Sequence, residues 1–304
     1  MGCNETLVRN KLCQHQRKAD RYISLAKKCL ESALRVSINL THNNTSWCKT
    51  ILKDPRALPT IMRLITTSQA QRQNLSEAEI AGSNGTILGE DDKSAQLLDK
   101  LCLALGLLTN LVQSVSSTKR LIHDDRTSLP PVPCSCVNAS KVMSVHCPGK
   151  RSCISVCACI SRTSFLRCLA HVYIQLCQSA NDLDTVVRGH IAILFGLLMQ
   201  DDWDNQTVLL NVLPGETKRR KLDSLLENAR EFTAFYVRFA KKAAEVVHGK
   251  GNDDQESDNE DDNAARSEGA LGIQRVLQDE KGEDVAKSVI IYLERLRMHL
   301  PDAC

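Results

Sequence analysis

Six cysteines, Cys134, Cys136, Cys147, Cys153, Cys157 and Cys159, fall within 26 residues, with His146 beside them and Cys168 just beyond. Pro130, Pro131, Pro133 and Pro148 keep most of that stretch out of a helix. Thiolates at this density, in a reducing compartment, suit a tetrahedral zinc ion, whose binding would hold a loop with little else to fold on. The spacing leaves the assignment open. The two Cys-x-Cys pairs are not the commoner Cys-x-x-Cys knuckle, and the order does not fit the fungal six-cysteine DNA-binding cluster. The competing reading is a loop of reduced thiols, with Cys168 and Cys177 as small core residues of the following helix. Any zinc here is structural, because neither an open ligand position nor a general base accompanies it.

Two shorter motifs carry chemistry of other kinds. Met1-Gly2-Cys3-Asn4-Glu5-Thr6 fits the N-myristoylation pattern, and Cys3 offers a second acyl site; the competing reading is an ordinary chain start. Lys218, Arg219, Arg220 and Lys221 form a compact basic tetrad of nuclear-import type, or else the solvated first turn of a helix. Catalytic patterns are missing: there is no phosphate-cradling glycine loop, no Gly-x-Ser-x-Gly and no His-Glu-x-x-His. His171 and His190 lie in leucine-rich segments and read as packing or surface residues. The pairs Asp124-Asp125 and Asp201-Asp202 sit at helix starts or loops, where carboxylates complement the helix dipole without needing a reaction. The chain reads as a non-enzyme.

The elements that must position these residues are helices. The chain has 304 residues, 42% hydrophobic and 25% charged, which is room for a sizeable core. These figures, with aromatics at only 4%, disfavour collagen, global disorder and an aromatic-rich sandwich. Apolar residues recur every three or four positions over 26–40, 95–115, 161–178, 184–200, 218–247 and 284–299. In the second of these, Leu98, Leu101, Cys102, Leu105, Leu108 and Val112 form one stripe. Sustained alternation and hairpin turns are absent, so the expectation is all-α. Thr41-His42-Asn43-Asn44 ends one helix, Asp54-Pro55 opens another, and Leu213-Pro214-Gly215 closes a short one. Residues 81–92 read as a loop, 130–160 as the Cys-rich loop, and 250–267 as a disordered acidic insert within a single domain over 1–300.

Charge and hydropathy narrow the setting. Lys and Arg number 39 against 36 Asp and Glu, and seven of those acids lie between Asp253 and Asp262, so the remaining body carries a surplus of ten cations. That surplus suits an acidic protein surface but is too diffuse to demand nucleic acid, and the few aromatics provide no stacking platform. The apolar run over 101–112 is interrupted by Gly106, Thr109 and Asn110 and is expected to be too short to span a bilayer. No basic-then-apolar leader opens the chain, so the expectation is a soluble intracellular protein. Its 14 cysteines are then thiols, and sequons such as Asn39, Asn44 and Asn205 stay unmodified.

Three helical blocks look alike. Leu34-Arg35-Val36-Ser37-Ile38-Asn39-Leu40-Thr41 aligns with Leu105-Gly106-Leu107-Leu108-Thr109-Asn110-Leu111-Val112, 71 residues on, and Phe195-Gly196-Leu197-Leu198-Met199-Gln200 follows 90 later. Each is an apolar helix ending in an amide, and small residues at the matching positions would let stacked pairs approach closely. The irregular spacing points to divergent HEAT- or armadillo-like pairs instead of a strict array.

These blocks also carry a resemblance. Ser32-Ala33-Leu34-Arg35-Val36-Ser37-Ile38-Asn39-Leu40-Thr41-His42-Asn43 resembles the start of the wings apart-like (Wapl) C-terminal domain. So does Leu103-Ala104-Leu105-Gly106-Leu107-Leu108-Thr109-Asn110-Leu111-Val112, and after it Ala192-Ile193-Leu194-Phe195-Gly196-Leu197-Leu198-Met199-Gln200 with Asn205 and Leu213-Pro214-Gly215. The likeness continues through Leu225-Leu226-Glu227 to Glu231-Phe232 and Phe235, in the family's order over roughly 20–245. The cysteine segment is most similar to fungal members. The resemblance implies a HEAT-like helical domain without catalytic activity, which acts in the nucleus on chromatin. Its implied partners are the cohesin SMC ATPase heads, the kleisin and the HEAT-repeat regulators, and its implied role is release of cohesin from chromatin. The surface it implies is the third block and the helix after it: Gln200, Asn205, Leu225, Glu227, Arg230, Glu231 and Phe232. The extended N-terminal region of longer family members, which recruits the regulators, has almost no counterpart here. Two other classes stay open on the residues alone: a zinc-stabilised nucleic-acid or chromatin module, and an acylated armadillo-type scaffold at a membrane surface.

Overall fold

A computed structural model describes residues 2–80, 90–125, 164–179, 181–249 and 280–300. Among them the chain is all-α, with ten helices and no strand. They fall into two compact units, Met1–Val115 and Ser116–Cys304.

The first unit holds α1 (Gly2–Thr41), α2 (Thr45–Leu52), α3 (Ala57–Ile80) and α4 (Glu90–Ser114). α1 stops where expected: Asn43 takes a left-handed conformation (φ 52°), and the Asn44 side chain accepts from the Trp47 N–H to start α2. α3 begins at Ala57, two residues beyond Pro55, because Asp54 first closes a turn with Arg56 and Ala57. Residues 90–92, assigned to a loop by composition, are already helical in α4. α4 is the centre of this unit, with α1, α2 and α3 packed on it. Leu101, Leu105, Leu108 and Val112 of the expected stripe are buried, and so are Ala104, Leu107 and Leu111 on the flanks, since neighbours cover more than one face. The stretch Lys93–Ser114 is longer and more apolar than expected, enough by length and composition alone to cross a membrane; much of its apolar surface faces α1 and α3.

The second unit holds α5 (Ser117–Asp124), α6 (Phe165–Cys177), α7 (Asp182–Met199), α8 (Trp203–Val212), α9 (Lys218–Gly249) and α10 (Glu280–His299). Asn181 and Asp202 cap α7 and α8 by accepting from the Leu183 and Asn205 N–H groups at 2.8 and 2.9 Å. α7 is the axis, with α6, α8, α9 and α10 all packed against it. Residues 191–199 are buried without a break. Gln200 and the left-handed Asp201 (φ 59°) then turn the chain.

Glycine serves α7 in a way that α4 does not need. A methyl built on Gly196 would collide with Val289 of α10, and one on Gly189 would lie 2.5 Å from Phe232 Cβ and 2.7 Å from the Asn228 carbonyl oxygen of α9. A methyl on Gly106 would sit an ordinary 3.7 Å from Ile38, so the aligned glycine of the second block is not required for close approach. Opposite outcomes follow for one substitution. Gly196→Ala should lower the unfolding free energy by about 1–3 kcal/mol through overpacking. Gly106→Ala should leave it unchanged or raise it by up to about 1 kcal/mol through helix propensity. Urea unfolding of the two variants beside the parent chain checks both.

Candidate functional site

The end of α7 is built from three directions. Its last carbonyls have no partner within the helix. The Leu198 carbonyl accepts from Asn205 Nδ2 at 3.1 Å, Met199 from the Tyr292 hydroxyl of α10 at 2.8 Å, and Gln200 from Lys119 Nζ of α5 at 2.5 Å. Asn205 also donates to the Lys119 carbonyl at 3.3 Å, and its own side-chain oxygen meets no donor. Asn205 is fully buried. Its side chain therefore ties α8 to α5 and α7 and offers nothing to a partner, while Gln200 is half-buried at the cap.

Leu225 is likewise fully buried, as core. Phe232 is half-buried and stacks on His190 of α7, with ring centroids 5.4 Å apart and planes 21° apart. Between these packing residues and solvent runs a polar chain. Asn228 Nδ2 donates to the Tyr173 hydroxyl at 2.6 Å, and Arg188 Nε donates to Asn228 Oδ1 at 2.7 Å. The Arg188 guanidinium then reaches to 3.8 Å from the Glu231 carboxylate. Burial pushes the Tyr173 hydroxyl well above its ordinary range, so it stays a neutral partner in this chain.

The remaining candidates, Glu227, Arg230 and Glu231, meet at the surface. They line an open groove of about 600 Å³ between α9 and α10, together with Asp223, Leu226, Glu294, Arg297 and Met298. On α9 the lining residues recur at 223, 226, 227, 230 and 231, which is one helical face. Arg230 pairs with Glu294 across the groove at 2.6 Å, and Arg297 pairs with Asp223. Pairs this exposed contribute little to stability. They fix the groove's charge pattern instead: four carboxylates, two guanidiniums, and Leu226 and Met298 as apolar ground. Glu227 and Glu231 stand one turn apart outside the two cross-groove pairs.

No family model, curated protein or solved structure matches the chain. The sequence and the geometry therefore carry the functional reading together.

The other candidates are placed as follows. The cysteines at 134, 136, 147, 153, 157 and 159 lie outside the described residues, as does the acidic run at 253–262. Among the described residues no group of three or more His, Cys, Asp or Glu could hold a metal ion. Cys168 is buried with its thiol pushed up to about 12 by desolvation, as befits a core residue; Cys177 is half-buried. Lys218, Arg219, Arg220 and Lys221 form the first turn of α9. Lys221 donates to the Leu210 carbonyl at 2.7 Å and reaches Asn211 at 3.4 Å, holding the end of α8, while Lys218 and Arg220 are exposed. The α10 residues of the groove, Glu294, Arg297 and Met298, carry no local sequence signal, because only tertiary packing brings them beside α9.

His190 gives this region a pH dependence. Its packed surroundings push its pKa down to about 4, so the folded chain keeps it neutral while the unfolded chain protonates near pH 6.5. Desolvation lowers His171 as well. The unfolded state then binds more protons, and stability falls as pH drops from about 6.5 toward 4, by roughly 2 kcal/mol for His190. Unfolding free energy measured over that range should show the decline, and His190→Phe, which keeps a ring against Phe232, should reduce it to the part that His171 contributes.

Proposed function

We propose that this chain is a non-enzymatic regulator of cohesin, of Wapl type, that binds the ring complex in the nucleus and promotes its release from chromatin. The observation that carries the reading is the ordered series of resembling blocks along the chain. The finer architecture proposed with it is HEAT- or armadillo-like. In support, the amide of the second block joins the helices of the first two blocks. Asn110 Nδ2 donates to the Ile38 carbonyl at 3.2 Å and to Thr41 Oγ1 at 3.0 Å, clamping the end of the first block's helix. The binding surface proposed is the groove of Glu227, Arg230 and Glu231.

The mechanism is differential binding. A surface that prefers the open state of the ring by tenfold shifts opening by about 1.4 kcal/mol, and it needs no chemistry of its own. The energy of the cycle belongs to the SMC ATPase.

A tagged full chain incubated with purified cohesin tests the reading. Core subunits should be retained, and the double change Arg230→Glu with Glu231→Lys should weaken retention at least tenfold without altering the unfolding midpoint. Parental retention by that variant would remove the groove from the proposal. Absence of cohesin from the parental eluate would remove the function itself.

A further inference from the structure

The groove between α9 and α10 has a sign of its own. Four carboxylates, from Asp223, Glu227, Glu231 and Glu294, stand there against two guanidiniums, from Arg230 and Arg297. Outside the acidic run at 253–262 the chain carries a surplus of ten cations, so the groove opposes the charge of the body that holds it. Three of its carboxylates form a ridge on α9 at four-residue spacing: Asp223, Glu227 and Glu231. Like charges one turn apart repel, and a cation beside each member relieves the repulsion. Asp223 has Arg297 of α10, and Glu231 has Arg188 of α7, more loosely, at 3.8 Å. Glu227, between them, is exposed and meets no cation among the described residues. Arg230 is already turned across the groove to Glu294.

The ridge therefore lacks a cation at its middle, and the lining says which kind fits. Met298, on the α10 side, is 73% exposed and gives apolar ground within reach of solvent. A side chain with an apolar stem and a charged head uses both features, the stem along Met298 and the head at Glu227. That describes lysine and arginine. The carboxylates do not converge as metal ligands do. Phosphate-bearing partners, whether nucleic acid or anionic lipid, would meet like charge. We propose that the groove takes a basic segment of a partner protein. One Lys or Arg side chain pairs with Glu227, and a second reaches Glu231, one helical turn and about 6 Å away. The inference rests on the reading of this groove as the binding surface and adds the chemistry of what enters it.

Short fluorescent peptides with a Lys-Ala-Lys, Arg-Ala-Arg or Gln-Ala-Gln centre test it against the full chain by anisotropy at low ionic strength. Alternate residues of an extended peptide lie about 6–7 Å apart, which matches the two carboxylates. Both basic peptides should bind about tenfold tighter than the neutral one. Glu227→Gln should cut that preference about threefold. Glu227→Lys, which supplies the missing cation from within, should abolish it. That change also turns two repulsions along α9 into attractions, so the unfolding temperature should equal or exceed the parent's. Asp204→Lys, an equal change of charge at the exposed start of α8, should leave the preference intact. Together the two variants separate the groove from the acidic run at 253–262, which offers basic peptides another anionic stretch. Three results overturn the proposal: no preference for the basic peptides, equal effects of Glu227→Lys and Asp204→Lys, or self-association in light scattering that Glu227→Lys abolishes. Cohesin retention reads out separately. A parental chain that retains cohesin but shows no peptide preference loses this inference alone. One that shows the preference but retains no cohesin keeps it and loses the release role.

Discussion

The second unit depends on what happens around α7. A helix buried on every side from 191 to 199 must be approached by four others at once, and side chains of ordinary size leave no room for that. Gly189 and Gly196 make the room on two of the sides, for α9 and α10. Because both helices close onto the same axis, they lie beside one another, and the groove between them exists as a consequence. Its ion pairs, Arg230 with Glu294 and Asp223 with Arg297, decorate a geometry that the glycines set.

Helix ends follow a common solution in both units. Three carbonyls at the end of α7 are taken by Asn205, Tyr292 and Lys119, each from a different helix. Lys221 does the same for α8, and Asn110 for α1. A buried carbonyl left without a donor costs about 1–3 kcal/mol, so each of these side chains fixes a helix-to-helix distance as well as satisfying a group. Long cationic and amide side chains spent this way are unavailable to partners. That separates Asn205 and Lys221 from the surface residues with which sequence position grouped them.

The helices themselves were legible because the apolar period is strong: the segments read at 184–200, 218–247 and 284–299 differ from α7, α9 and α10 by a few residues at their ends. α2 and α5 escaped, each being only eight residues long, too short for a periodic signal. The candidate surface was legible in part. Glu227, Arg230 and Glu231 fall at one helical face and do line a groove, but Asn205, Leu225 and Phe232 belong to packing. The sequence offers no way to tell an amide that clamps a carbonyl from one that meets a partner, since the residue type serves both. Gly106 and Gly196 make the same point: they align within their blocks, yet only one has a neighbour too close for a methyl group.

The groove presents charge that is mostly paired internally, so a partner must compete with existing contacts, and its gain comes from arrangement more than from net attraction. Such a surface discriminates between states of a partner better than it captures one. In the proposed role, discrimination of that kind is what would move a partner's equilibrium. Binding that favours neither state cannot move an equilibrium, and preference without residence would act too rarely to matter.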